Sequence, residues 1–160
     1  MANVTATERR SSLLQAVGQG PAYSVKNLSA TIELAATTSG DTITFGRVPS
    51  NARFTGQCRL YNDDIATSGS PTIQFGLRAV DSNLVNSDDP DAIGTGFALS
   101  SAGSDVLMFS DIANIGLPAW DLVASESSDP GGVLEVYGTV KAAPTIATGT
   151  VTVSLDYYID

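Results

Sequence analysis

The segment "GDTITFGRVPSNARF", residues 40–54, contains two alternating runs separated by a proline. Ile43 and Phe45 alternate with polar residues, and the alternation resumes at Ala52 and Phe54 after the corner Val48-Pro49-Ser50-Asn51. A period of two is typical of strands that bury one face, and proline fixes the backbone at the corner. The stretch therefore predicts two strands joined by a rigid turn, which is a motif of scaffold rather than of chemistry.

The same alternation continues on both sides of this stretch. It is found in "NLSATIELAA" (27–36), "ARFTGQCRLY" (52–61), "PTIQFGLRAV" (71–80), "GTGFALS" (94–100), "GVLEVYGTVK" (132–141) and "TGTVTVSLDYYI" (148–159). The breaks between these segments are rich in Gly, Pro, Ser and Asp, which favour turns. We predict an all-β fold, an antiparallel and jelly-roll-like β-sandwich of roughly eight strands over residues 27–160. One helical turn is expected at Asp111–Ile115, ending before Pro118.

Residues 1–26 differ in pattern and are predicted to form an N-terminal arm. Thr5-Ala6-Thr7-Glu8 fits a capping box, which predicts a short helix over residues 6–17. Two alternatives are open for this arm: a frayed terminus, or a segment that becomes ordered against a partner. For the second, the residues expected to grip the partner are Arg9, Arg10, Leu13, Leu14 and Val17.

The composition argues against catalysis. The chain has 160 residues, enough for one domain with a substantial core, and 42% of them are hydrophobic. It contains no histidine, which removes the commonest general base and the commonest zinc ligand. The single cysteine, Cys58, falls among inward-facing positions and is expected to be a small buried hydrophobe. No nucleophile, base and oxyanion hole come together in the pattern, so we expect neither an enzyme nor a cofactor.

The charge is distributed unevenly along the chain. Residues 1–60 carry a net +3 and residues 61–160 a net −12, for a total of −9. The acidic remainder should repel nucleic acid, so direct nucleic-acid binding is not expected. The basic first third is expected to face an acidic partner surface. No apolar run is long enough for a membrane span or a signal peptide, so we expect no membrane contact and synthesis in the cytoplasm.

Clustered acidic and amide side chains occur in the segment "DSNLVNSDDPDAIG", residues 81–94, which is predicted to be a loop. We favour a solvated acidic loop without a metal; the alternative is a calcium site, because calcium binds several oxygen ligands in flexible loops. The candidate ligands would be Asp81, Asn86, Asp88, Asp89 and Asp91.

An adjacent pair of aspartates and a set of aromatic residues are two further candidate sites. Asp63 and Asp64 are adjacent and would point to opposite faces of a strand, so we expect local turn hydrogen bonds rather than an acid–base pair. Trp120 is expected to plug one end of the core. The alternative is a sugar-stacking platform formed by Trp120 with Tyr61, Tyr157 and Tyr158.

Three consecutive motifs carry a resemblance to a known family. They are Val48-Pro49-Ser50-Asn51-Ala52-Arg53-Phe54, Leu60-Tyr61-Asn62-Asp63-Asp64, and Ser68-Gly69-Ser70-Pro71-Thr72-Ile73-Gln74-Phe75-Gly76. With the closing segment "ATGTVTVSLDYYID", they resemble small jelly-roll structural proteins of tailed bacteriophages, and in size and texture the capsid decoration, or cement, proteins. The resemblance covers roughly residues 28–160.

This resemblance implies a non-catalytic role on the virion. It implies binding to the major capsid protein on the outside of an icosahedral head, commonly as a homotrimer at three-fold or quasi-three-fold positions, after synthesis in the bacterial host cytoplasm. The alternatives are a carbohydrate- or receptor-binding jelly-roll module of a phage fibre, or another structural protein of the tail or neck.

Overall fold

The computed structural model describes residues 3–5, 24–65, 69–80, 88–123, 128–141 and 148–159. Ten strands lie within these ranges, with one 3-10 helix at Ile112–Asn114 and one short helix, α1, at Ala119–Val123. The strands are β1 (Asn3–Thr5), β2 (Lys26–Leu34), β3 (Thr42–Pro49), β4 (Ala52–Phe54), β5 (Arg59–Asn62), β6 (Thr72–Ala79), β7 (Asp88–Ala98), β8 (Gly103–Leu107), β9 (Val133–Lys141) and β10 (Gly149–Ile159).

The strands form two sheets. Sheet A has the order β1-β3-β9-β6-β7, and sheet B has the order β2-β10-β5-β8, with β4 also paired to β10. Antiparallel pairs are nested along the chain: β2 with β10, β3 with β9, β5 with β8, and β6 with β7. This nesting confirms the predicted all-β, antiparallel sandwich. β1 is the exception, because it pairs with β3 in parallel.

The core lies between the two sheets, where the period-two pattern placed it. Alternate residues of β2 and β10, such as Ile32 and Val153, are buried, and so are Ile43 and Phe45 of β3. Phe45 and Phe75 join the sheet A side of the core, with ring centroids 5.4 Å apart. Buried apolar surface of this extent is the main favourable contribution to folding.

The corner Val48-Pro49-Ser50-Asn51 carries the chain from sheet A to sheet B. β3 ends at Pro49 and β4 begins at Ala52. Ser50 is buried at the corner: its N–H donates to the carbonyl of Gly132 at 3.0 Å, and its carbonyl accepts from the N–H of Trp120 at 3.0 Å. The predicted turn is confirmed, and the two strands that it joins belong to opposite sheets.

Two predicted segments have different boundaries. The segment 52–61 is not one strand, because the chain bends at Thr55-Gly56, where the Thr55 hydroxyl accepts from the N–H of Gln57. The prediction of a loop over residues 81–94 is wrong from Asp88 onward, because β7 already begins there. Between Asp89, opposite Leu77, and Gly94, opposite Phe75, β7 holds extra residues in a bulge. Pattern reading missed this strand because the bulge interrupts the alternation.

The helical turn was predicted correctly, whereas α1 was not predicted. Asp111 caps the 3-10 helix by accepting from the N–H of Ala113. α1 follows Pro118 and buries Ala119, Leu122 and Val123. Trp120 is half-buried against the core, as expected of a plug. None of the described helices is long and apolar enough to cross a membrane.

Candidate interaction surface

The structure places only some of the residues that were predicted to form sites. Arg9, Arg10, Leu13, Leu14 and Val17 of the arm, the helix predicted over residues 6–17, and Asp81 and Asn86 of the acidic segment lie outside the described residues. Asp88, Asp89 and Asp91 all lie in β7. Within the described ranges, no three His, Cys, Asp or Glu side chains are grouped so that they could hold a metal ion.

Asp88 belongs instead to a polar network on the outer face of sheet A, here called the arginine cluster (Thr44, Arg47, Arg78, Asp88, Glu135 and Tyr137). Arg78 donates from Nε to Glu135 at 2.7 Å, and its Nη2 lies 2.6 Å from the same carboxylate oxygen and 3.1 Å from the Thr44 hydroxyl. Its guanidinium lies 4.7 Å from the ring centroid of Tyr137, whose hydroxyl donates to Asp88. Arg47 approaches the other oxygen of Glu135 at 3.8 Å.

Burial makes this cluster a structural feature more than a reactive one. Glu135 has 14% of its side chain exposed, and it holds the two arginines together. Burial, and then the hydrogen bond to Asp88, raises the pKa of Tyr137 well above its ordinary value, so the hydroxyl stays protonated. Burial, followed by the nearby carboxylates of Asp91 and Asp88, raises the pKa of Asp89. The cluster binds β3, β9, β6 and β7 to one another.

The uneven charge along the sequence does not become two separate surfaces in the described residues. Arg47, from the basic first third, lies beside Glu135, and Arg59 lies 3.2 Å from Asp105. Arg53 donates to the carbonyl of Gly116 at 2.8 Å. The reason is topological: nested pairing puts strands from both ends of the chain side by side. Arg47 and Arg59 of the basic first third therefore lie beside carboxylates from the acidic remainder of the chain.

The outer face of sheet B is of a different kind, dominated by short hydroxyl side chains. We call it the hydroxyl face. Thr31, Thr152 and Tyr61 form one row across β2, β10 and β5, and Ser29, Ser154 and Arg59 form the next. The hydroxyls of Thr31 and Thr152 are 2.8 Å apart. Because these short side chains are hydrogen-bonded to one another, little side-chain entropy would be lost if they contacted another protein.

One edge of sheet B exposes large apolar side chains, and we call it the apolar edge (Tyr61, Val106, Leu107 and Ile112). Leu107 is 53% exposed and Ile112 is 83% exposed. Leu107 lies opposite Arg59 in the β5–β8 pair, and Tyr61 follows Arg59 on the same face. The turn that carries Ile112 follows β8 and runs alongside β7 of sheet A, where the N–H of Ser110 donates to the carbonyl of Ile93 at 3.3 Å.

The aromatic side chains do not form a sugar-stacking platform. Tyr157 faces inward and packs edge-on against Phe54, with ring centroids 6.4 Å apart. Tyr61 lies opposite Thr152, six residues along β10 from Tyr158, which is a separation of about 20 Å at the rise of a strand. Trp120 lies in α1, against the core. The structure therefore does not bring all four of these aromatic side chains together on one surface.

Cys58 and Asp63 have structural contacts. Cys58 is fully buried, and burial raises the pKa of its thiol to about 12, which confirms the expected inert hydrophobe. The expected local turn at Asp63 is wrong. Its carboxylate accepts from the N–H of Thr150 at 3.0 Å and from the hydroxyl of Thr150 at 2.6 Å, a contact between distant parts of the chain that lowers the pKa of Asp63.

Sequence reasoning missed the arginine cluster and the apolar edge. The alternation in "GVLEVYGTVK" did contain a signal for the first, because it places Glu135 and Tyr137 together on the face opposite Leu134 and Val136. Their partner Arg78 could not be paired with Glu135 without the strand register. The apolar edge had no such signal, because exposed leucine and isoleucine cannot be told from core residues in a sequence.

Comparisons with known proteins identify similar structures but no sequence family. No family model and no curated protein gives a significant match to the chain. A chain of the structure "Capsid of Ralstonia phage GP4" matches with a TM-score of 0.62 and 18% identity, covering 99% of both chains. A chain of "Cyanophage Pam1 capsid asymmetric unit" matches with a TM-score of 0.51 and 23% identity, covering 96% of this chain and 98% of that one. The chain therefore shares its fold, almost end to end, with chains found in two phage capsid structures.

Proposed function

We propose that this chain is a structural protein of a phage capsid, and specifically a decoration protein that binds the outer surface of the icosahedral head and stabilises contacts between major capsid subunits. The observation that carries the proposal is the match over 99% of both chains to a chain of the Ralstonia phage GP4 capsid structure. The match runs over nearly the whole of both chains, so the shared fold covers both sheets of this chain. The motifs around Val48-Pro49 and Asp63-Asp64 support the same proposal.

The proposed protein acts by adhesion, without catalysis and without a cofactor. Its hydroxyl face offers short side chains for contact with a capsid subunit. Many copies around one shell would bind through modest individual interfaces, because multivalency raises the effective concentration of each next contact. We propose homotrimers at three-fold or quasi-three-fold positions, on the exterior of the virion, after synthesis in the host cytoplasm.

The first experiment is co-sedimentation of the purified chain with heads that lack it. The expected result is saturable binding at a fixed ratio to the major capsid protein. Thr31→Lys, exposed on the hydroxyl face, should weaken this binding, and Thr95→Lys, exposed on β7 of sheet A, serves as the matched control. If the chain binds isolated tails or glycans but not heads, the decoration role is excluded.

The arm needs a test that spares β1. Removing residues 1–20 would also remove β1 from the edge of β3, so a loss of binding could come from a damaged sheet. Substituting the five arm residues in two groups, R9A/R10A and L13S/L14S/V17S, leaves β1 in place. If the arm grips the capsid, each group weakens co-sedimentation while the thermal midpoint is unchanged. Unchanged affinity in both variants would discard the arm.

A further inference from the structure

The apolar edge calls for an explanation that the core does not provide. The six exposed large hydrophobic residues of the described ranges are Val25, Tyr61, Val80, Val106, Leu107 and Ile112. Four of them lie at this one edge, on β5, on β8 and on the turn after β8. The intervening Met108 is buried and Phe109 packs against Phe54, so the segment is anchored while its apolar side chains point outward. Exposed apolar groups collected in one place mark a contact with another macromolecule.

The backbone of the edge favours contact through side chains. β8 is the last strand of sheet B, and such a strand can add a strand from another chain. Asp105, in the middle of β8, has a positive φ of 60°, and the β5–β8 register shifts next to it. This conformation interrupts the regular ladder, so a strand could not extend the sheet here. The exposed side chains of Leu107 and Ile112 remain as the features that a partner would cover.

The local charge indicates which partner this is. The whole chain carries −9, so two copies repel each other unless they meet where charge is compensated. At the apolar edge, Arg59 lies 3.2 Å from Asp105 and also donates to Gln57, so this pair is neutralised within the molecule. Exposed charges more than about 8 Å from the contact are screened at physiological salt. A positively charged partner would gain no attraction from a surface whose charges are already paired. A second copy of this negatively charged chain, in contrast, needs such a surface to avoid repulsion.

We infer that the apolar edge is the surface through which one copy of this chain contacts the next, with Leu107 and Ile112 as the anchoring side chains. This inference rests on the proposed assembly into homotrimers. It assigns the hydroxyl face to the capsid and the apolar edge to the neighbouring copy, with Tyr61 at the boundary between the two surfaces. A three-fold arrangement is heterologous, so the edge of one copy would meet a different surface of its neighbour. Interfaces between identical subunits have more apolar cores than transient ones, in agreement with the composition of this edge.

The first test is the mass of the particle in solution. Light scattering after gel filtration is measured for the wild-type chain, for L107K/I112K, and for V25K/V80K, which changes two exposed apolar residues outside the edge. The expected result is a trimer for the wild type and the control, and a monomer for L107K/I112K. An unreactive Cys58 thiol reports that each variant is folded. A folded L107K/I112K trimer would overturn the inference.

The second test is made on decorated heads and covers assembly that occurs only there. A photo-crosslinking amino acid replaces Ile112 in one variant and Val80 in its control, and the adducts are identified by mass spectrometry. Adducts between two copies of this chain from position 112, but not from position 80, support the inference. Adducts with the major capsid protein, or none from position 112, overturn it while leaving the decoration role intact. Loss of trimers should lower the affinity for heads by roughly 10²-fold, because avidity is lost.

Discussion

Gly76 lies where β6 and β7 approach each other so closely that there is no room for a methyl group. A Cβ atom there would lie 2.0 Å from the carbonyl oxygen of Asp89 and within 2.6 Å of the Pro90 backbone. These are backbone atoms, so they cannot move aside as a flexible side chain could. The bulged start of β7 therefore depends on glycine at this position in β6.

We expect Gly76→Ala to destabilise the fold by about 2–4 kcal/mol, because overpacking forces the backbone of β7 to shift. The measurement is the free energy of unfolding in urea. Gly96→Ala is the matched control: Gly96 has a positive φ of 81° but open space around it. It should cost only about 1–2 kcal/mol, the penalty for a left-handed backbone. A smaller loss for Gly76→Ala than for Gly96→Ala would contradict the steric explanation.

Asp89 gives a pH dependence of stability whose sign follows from its surroundings. Burial and two neighbouring carboxylates raise its pKa in the folded chain. A group with a raised pKa contributes stability below its unfolded pKa of about 3.9, and this contribution is lost as the pH rises. The folded chain therefore favours the protonated form of Asp89, and at neutral pH the charged carboxylate lowers the free energy of unfolding.

Asp89→Asn should therefore raise the thermal midpoint at pH 7 and leave it unchanged at pH 3. The asparagine carbonyl can still accept the hydrogen bond that the N–H of Asp91 donates to Asp89. Asp129→Asn is a matched control, since Asp129 accepts from the N–H of Gly131 in the same way but on an exposed turn. Equal effects of the two substitutions at pH 7 would show that only net charge matters.

At the scale of the element, the arginine cluster joins four strands of sheet A across their outer face. Glu135 is its centre, because it contacts Arg78 from the next strand and Arg47 from the strand on the other side. Removing the charge of Glu135 would leave Arg78 half-buried without a full partner. The cost of such a loss exceeds the net value of the pair itself.

Glu135→Gln should lower the free energy of unfolding by about 1–3 kcal/mol, as for other hydrogen bonds to charged groups. Asp105→Asn breaks the exposed pair with Arg59 and should cost less than about 1 kcal/mol. Asparagine tolerates the positive φ of position 105, so the control does not add strain. Chemical denaturation of both variants at low and high salt measures the two losses of unfolding free energy. A larger loss for Asp105→Asn would contradict the ranking.

Elements with an unbroken alternation could be predicted from the sequence, and elements with a defect could not. β2, β3, β6, β9 and β10 follow the pattern, because each buries every second residue on one side. β7 was missed over Asp88–Ile93, where a bulge and Pro90 break the period. β1 was missed because three residues are too few to show a period, and its partner is decided by distant packing.

For the whole molecule, the nested order places the end of the described chain in the middle of sheet B. β10 pairs with β2 over nine positions, from Gly149–Leu34 to Tyr157–Lys26, and also with β4 and β5. Asn27 and Ser154, 127 residues apart, are hydrogen-bonded at 2.9 Å. Without β10, three strands of sheet B lose a neighbour together.

Deleting residues 149–159 should therefore abolish the cooperative fold rather than weaken it. The expected result is a chain with no sigmoidal thermal transition and with a Cys58 thiol that reacts at pH 8, as in denaturant. Thr152→Ala keeps β10 and should retain both the transition and the protected thiol. A cooperative transition in the truncated chain would show that β10 is dispensable.

The candidate surfaces were harder to predict than the fold. Alternation identifies which side chains point outward, and it correctly placed Thr31 and Thr152 on the outer face of the sandwich. It cannot identify neighbours in space, so Arg59 was assigned to a basic third although it lies beside Asp105. Such pairings depend on the strand register, which long-range packing fixes.

The central position of β10 also has a consequence during synthesis. A ribosome makes the chain from residue 1, so β2, β5 and β8 leave the exit tunnel before the strand that joins β2 to β5 has been translated. Until residue 159 has emerged, sheet B is missing its middle strand, and the inward faces of the early strands lack their cover. We therefore expect a pause in translating residues 149–159 to leave apolar surface exposed to aggregation.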